Sequence, residues 1–226
     1  GDLVDKILDK AGQKGTGKWT AQESLEFGVP IPTIAASVDA RALSSMKEER
    51  MKAAREFSDR GLLSQSLTLT KDGTAQGDLE HALYAGKVVA YAQGMALIQR
   101  ASSEFGWNVE LDKIAGLWRA GCIIRADMLQ DIMSAFRADQ NLPNLIVSSL
   151  FKENLKIALP SLRRVVVAGV ESGIPLPCLS ASLSYLDSYL SANLPQNLIQ
   201  AQRDYFGAHT YERNDREGVF HSKWEE

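Results

Sequence analysis

The stretch DLEHALYAGKVVAYAQGMALIQRASSE, residues 78–104, carries a helical apolar period with no proline to interrupt it. A helix of that length has to be surrounded by other elements, and the rest of the chain supplies only more helical pattern. Gly86 and Gly94 sit inside it. A helical glycine costs ~1 kcal/mol against alanine, so two of them predict close approach by neighbouring helices.

Elsewhere the same period recurs. In DLVDKILDKAG, Leu3, Val4, Ile7, Leu8 and Ala11 share a face, with Gly12 as the stop. Thr20 and Glu23 form a Thr-x-x-Glu capping box, predicting a helix from about 21 to Phe27. Pro32 opens the next helix, expected to run through TIAASVDARALSSMKEERMKAAREF with a buried first half and a solvated, charged second half. Residues 58–77 read as a loop, with a short extended piece at Leu67–Thr70. Further helices are expected over 111–119, 125–138, 143–157, 160–172, 178–191 and 195–206, punctuated by Pro143, Pro160, Pro175, Pro177 and Pro195. Strand alternation is absent. The predicted fold class is all-α: a helical domain over 1–206 of nine or ten helices, followed by a tail over 207–226. That tail is polar yet holds Tyr211, Phe220 and Trp224, too aromatic for simple disorder. It is expected to dock on the chain's own surface or on a partner subunit.

A net charge of −3 argues against a nucleic-acid partner. No apolar run reaches the ~18 residues of a membrane span, and the N-terminus reads as no signal peptide. Cys122 and Cys178 match no metal-ligand spacing and read as buried free thiols of a cytoplasmic protein.

Three places could carry chemistry. QKGTGKW, residues 13–19, combines glycines that turn backbone N–H groups outward with two lysines. It lacks Walker A spacing, so a phosphate nest and a solvated turn both remain open. Arg41 lies in a largely apolar helical stretch, so it needs either a carboxylate such as Asp39 or an anionic ligand. In AQRDYFGAHTYE, Arg203 and His209 flank the break at Gly207. They could cradle an anion, or simply stand as cations at a helix C-terminus. His81 and His221 read as surface or packing residues. The residues show no nucleophile–histidine pair, metal cluster or dinucleotide fingerprint.

Taken together, QKGTGKWT, ARALSSMKEER, YAQGMALIQRASSEFGW, LWRAGCIIR, GIPLPC and QAQRDYFGAHTYE resemble the C-terminal part of the 6-phosphogluconate dehydrogenases, over essentially the whole chain. The resemblance implies an enzyme of the pentose phosphate pathway. It oxidises 6-phosphogluconate with NADP and releases CO2 and ribulose 5-phosphate without a metal. It implies a homodimer in which each C-terminal tail reaches the other subunit's site. By motif, Lys14, Thr16 and Arg41 resemble the phosphate contacts, and Arg203 and His209 the residues donated across the dimer. The Rossmann domain and the family's catalytic lysine and glutamate have no counterpart in this sequence. The chain is therefore expected to contain no catalytic residue, to leave NADP to an N-terminal domain, and to be incapable of turnover alone, as a cleaved or cut chain would be. Retention of all four cations favours partial ligand sites. The alternative is a non-catalytic structural or dimerisation domain without useful ligand affinity.

Overall fold

A computed structural model describes residues 1–57 and 74–224. The chain divides into two compact units, Gly1–Leu186 and Asp187–Glu226.

The first unit is all-α. Its helices are α1 (Thr16–Glu26), α2 (Pro32–Ser45), α3 (Lys47–Phe57), α4 (Thr74–Phe105), α5 (Leu111–Leu117), α6 (Met128–Ala138), α7 (Ser149–Glu171) and α8 (Pro177–Tyr189), the last of which runs into the second unit. The core is built on α4. Ala82, Ala85, Val88, Val89, Ala92 and Met95 recur at three- and four-residue spacing and are all buried. Against this stripe pack Leu155, Ala158, Leu162 and Val165 of α7, Ile132 and Phe136 of α6, and Leu183 and Leu186 of α8. The alanines keep the stripe thin, so backbones approach closely. Gly86 serves the same end: a Cβ there would stand 3.0 Å from Leu179 Cδ2 of α8. Gly94 has nothing within 4 Å of such a Cβ, so only one of the two glycines marks a close helix contact.

One buried polar chain ties three helices together. Gln93 Nε2 donates to Thr33 Oγ1 at 3.1 Å, and Thr33 Oγ1 meets Ser182 Oγ at 2.9 Å. Ser182 Oγ donates to the Cys178 carbonyl at 2.8 Å. Gln93 also accepts the Thr33 backbone N–H at 3.1 Å. The start of α2 is thereby fixed to α4 and α8 with its polar groups satisfied.

Several expected boundaries are corrected. Residues 3–11 form only a 3-10 turn at Val4–Lys6. Leu3, Val4, Ile7 and Leu8 are all exposed, so no burial supports a helix there. The capping box does not form. Helix α1 begins at Thr16 behind Gly15, and Thr20 instead donates its hydroxyl to the Thr16 carbonyl within the helix. The long helix after Pro32 is two helices, interrupted at Met46 (φ −81°, ψ 44°). Most of α2's first half is only half-buried. Residues 74–77, expected in a loop, begin α4. The remainder of that expected loop, including Leu67–Thr70, lies outside the described residues. Pro160 does not separate two helices but sits on the exposed side of α7.

The second unit holds α9 (Gln196–Gly207) and a small antiparallel pair, β1 (Tyr211–Glu212) and β2 (Val219–Phe220), in register Tyr211 to Phe220. It thus places α9 with the tail. The pair is too short to show as alternation in sequence.

Candidate functional site

The turn before α1 is pinned to α2 at both ends. On the near side, Ala11 donates its backbone N–H to Ser44 Oγ at 2.9 Å. Asp9 just before it pairs with Lys47 at 2.5 Å and Arg50 at 3.2 Å, and Arg50 also caps the Ser44 carbonyl at 3.0 Å. On the far side, Gly17 lies so close to α2 that a Cβ would stand 2.9 Å from Val38 Cγ2. Val38 and Ser44 bracket Arg41, each three residues from it and so near its face of the helix. Ser44 Oγ donates to the Arg41 carbonyl at 2.8 Å.

Between those two anchors lie Lys14 and Thr16. Both are exposed. Gly15 carries φ 107°, a conformation that glycine adopts freely, and turns the chain into the first residue of α1. No side chain caps this helix and no acid occupies its first turn. Its leading N–H groups have no intrahelical acceptor and carry the positive end of the helix dipole.

Arg41 is exposed, and among the described residues it has no hydrogen bond or ion pair of its own side chain. Of the two partners the sequence left open, a carboxylate is not found among the described residues, because α2 leaves position 41 in solvent. Its charge is felt by Cys178: burial pushes that thiol up and Arg41 pulls it part of the way back. Both cysteines are free and half-buried rather than buried. A cavity of about 960 Å³ runs along α2, lined by Ala36, Ala40, Leu43 and Ser44 together with Asp9 and Leu176; Arg41 is not among its lining residues.

Arg203 and His209 belong to the second unit, and both are exposed. Arg203 Nη1 donates to Gln200 Oε1 at 3.0 Å. His209 stands between Ala208 (φ 51°) and Thr210 (φ 63°), two non-glycine residues in the left-handed region. Its ring lies over Gly207, where a Cβ would stand 3.0 Å from Cδ2 and Nε2.

The sequence reading missed the centre of this unit. Asp204 is fully buried and accepts from Thr210 N at 2.9 Å, Ser222 N at 3.0 Å and Trp224 Nε1 at 2.9 Å, with His221 Nδ1 also at 2.9 Å. Burial pushes its carboxyl up, but the Ser222, His221, Trp224 and Thr210 donors outweigh that and hold it below the usual carboxylate range. His221, expected to be an ordinary surface or packing residue, is one of these donors. An acid beside an arginine in QRDY invites a simple ion-pair reading, and nothing in the sequence signals four donors converging on it.

No cluster of three or more metal-ligating side chains occurs among the described residues, and no helix among them is long and apolar enough to cross a membrane.

Comparison with known proteins gives one consistent result. A family profile described as "6-phosphogluconate dehydrogenase, C-terminal domain" matches residues 1–224. The chain is 50% identical over 226 residues to the NADP(+)-dependent, decarboxylating 6-phosphogluconate dehydrogenase of Bacillus subtilis, covering 98% of this chain and 47% of that protein. It is also 50% identical to decarboxylating 6-phosphogluconate dehydrogenase 2 of Arabidopsis thaliana, covering 99% and 46%. Its structure is similar to that of Plasmodium falciparum 6-phosphogluconate dehydrogenase, solved apo, with its cofactor NADP+ and with its substrate 6-phosphogluconate. The TM-score is 0.91 and the identity 46%, over 98% of this chain and 47% of that one. The chain therefore spans about half the length of the relatives it matches.

Proposed function

Because the chain belongs to the family of 6-phosphogluconate dehydrogenase C-terminal domains, we propose that it supplies the substrate-phosphate seat and the subunit interface of an NADP-dependent enzyme. That enzyme oxidises and decarboxylates 6-phosphogluconate to ribulose 5-phosphate. The observation that carries this reading is the turn of residues 11–17, held to α2 at Ser44 and Val38 on either side of Arg41.

The chemistry follows from the parts. A dianionic phosphate seeks a bidentate guanidinium, a mobile ammonium and free N–H groups. Arg41 is exposed and unpaired among the described residues, Lys14 is exposed, and the leading N–H groups of α1 are uncapped. Thr16 adds a hydroxyl at the helix start. Arg203 and His209 complete the set from the tail of a second copy of the chain, in a homodimer. Support for the exchange comes from α9, whose Leu198, Ile199, Tyr205 and Phe206 are exposed. Apolar groups in that number on one helix favour a covered surface.

NADP does not fit the residues here. The extended structure among the described residues is one pair of two-residue strands, which cannot form a nucleotide-binding sheet. The cofactor and the acid–base pair are assigned to the half of the relatives that this chain does not span, and the chain alone is expected not to turn over. Cytoplasmic placement accords with the family.

Amide mapping tests the seat. With 6-phosphogluconate, the N–H signals of Thr16, Gly17 and Lys18 should shift saturably, and gluconate should leave them in place. Equal shifts with both ligands, or none near α1, would remove the assignment.

A further inference from the structure

Resting on the reading of Arg203 and His209 as substrate contacts, we propose that Gln200 and Asp204 are positioning residues: a brace that couples Arg203 to the His209 loop and holds both side chains before any ligand arrives.

Gln200 is the link. Its Oε1 accepts from Arg203 Nη1 at 3.0 Å, and its Nε2 donates to the Thr210 carbonyl at 2.6 Å. One amide therefore grips the guanidinium on one side and the residue after His209 on the other. Asp204 grips the same residue from behind, taking the Thr210 N–H at 2.9 Å. The Ala208 N–H returns to the Asp204 carbonyl at 2.8 Å, closing α9. The loop that carries His209 is thus held on the amide and the carbonyl of Thr210 and on the amide of Ala208.

Such holding is needed because the loop is strained. Ala208 and Thr210 both have positive φ, and Thr210 is β-branched, which makes that conformation a costly one. Strain of this kind persists only where the surroundings over-determine it. Here it turns His209 back over Gly207, where any larger residue would press on the ring. A simple C-cap for α9 would need neither the second left-handed residue nor a bond from Gln200 to Thr210. Asp204 also fixes β2's neighbour Ser222, His221 and Trp224, so it carries the fold of the unit as well as the loop. Gln200 carries only the loop and Arg203, and so separates positioning from folding.

The test uses the full chain. In Gln200→Ala, circular dichroism and the Trp224 indole N–H signal report whether the unit is still folded around Asp204. The expected result is that both stay unchanged while the nuclear Overhauser contact between the His209 ring and the Gly207 α-protons weakens. Affinity for 6-phosphogluconate should fall about tenfold, as misplaced but intact contacts would give. Gly207→Ala, which pushes on the ring and leaves Gln200 and Asp204 alone, should lower affinity in the same direction. An unchanged His209–Gly207 contact in Gln200→Ala overturns the brace whether or not ligand binds. A weakened contact with full affinity overturns its positioning role, provided that Arg203→Ala does lose affinity. If Arg203→Ala and His209→Ala both bind normally, the reading of the tail as a substrate contact fails, and the His209–Gly207 contact in Gln200→Ala still decides the brace.

Discussion

Ala11 and Ser44 are joined by a 2.9 Å hydrogen bond from the Ala11 backbone N–H to Ser44 Oγ, and the same hydroxyl donates to the Arg41 carbonyl. One serine thus connects the end of the N-terminal segment to the residue that faces the proposed phosphate. Ser44→Ala should cost ~1 kcal/mol of stability, the ordinary worth of such a bond. It should also weaken 6-phosphogluconate binding, because the 11–17 turn loses one of its two anchors. Chemical denaturation and titration of the same variant separate the two effects.

Gly17 is the other anchor. A methyl at position 17 would stand 2.9 Å from Val38 Cγ2, and both residues belong to packed helices. Gly17→Ala should destabilise by about 1–3 kcal/mol, as overpacking does. Gly17→Ala with Val38→Ala should recover part of that loss, since the two sites touch. Full additivity in urea denaturation would show that the close contact is not what the glycine serves.

Gly169 makes a tighter demand. Its Cβ would meet Leu176 Cδ1 at 2.5 Å and the Ile174 carbonyl at 3.2 Å, where the chain turns from α7 towards α8. The leucine can move and the backbone carbonyl cannot. Gly169→Ala should therefore lose about 1–3 kcal/mol, with only part of it restored by Leu176→Ala. Denaturant midpoints of the two single variants and the double variant give the answer.

Asp78 sets an acid limb. Arg164 clamps its carboxylate through two bonds, 2.8 and 2.5 Å, and with Ser161 holds its pKa down at about 2 against an ordinary 3.8. A depressed carboxyl pKa adds stability that is complete above the unfolded value and is lost on acidification. Thermal stability should thus be insensitive to this pair above about pH 4 and fall as pH drops towards 2. In Asp78→Asn that limb should flatten. An unchanged acid profile would contradict the role of the clamp.

Thr33 stands in the middle of the Gln93–Thr33–Ser182 chain. Thr33→Val keeps the shape but removes the hydroxyl, leaving the Gln93 amide without its acceptor in a buried place. The expected loss is about 1–3 kcal/mol, the cost of an unsatisfied buried polar group. A neutral effect would mean that water enters and replaces the hydroxyl.

What the sequence made legible follows from which forces are local. α4 was readable because its apolar stripe has helical period and is buried from Ala82 to Met95. Its alanines and valines left no competing pattern. The break at Met46 was not, since no glycine or proline marks it. Pro160 misled in the opposite sense: it reads as a boundary, yet α7 packs against α4 on both sides of it, and tertiary burial outweighs one lost hydrogen bond. The N-terminal pattern Leu3–Leu8 had a helical period but nothing to bury it against. At the proposed site, the candidate residues were named from the motifs that carry them. Their supports were not: the bonds of Ser44 with Ala11, Gln200 with Thr210 and Asp204 with Trp224 span 33, 10 and 20 residues and follow no period. The three-residue Gln200–Arg203 spacing is one that every helix offers, so it singles out no pair.

The most direct test of the phosphate seat is a calorimetric titration of 6-phosphogluconate into the chain, with gluconate and Arg41→Ala as controls. Saturable binding that requires the phosphate and weakens about tenfold or more in Arg41→Ala is the expected result, as loss of a charge-assisted contact gives. Equal binding of gluconate, or full affinity without the Arg41 guanidinium, would contradict the seat. Failure of the folded chain to bind would leave it an assembly domain.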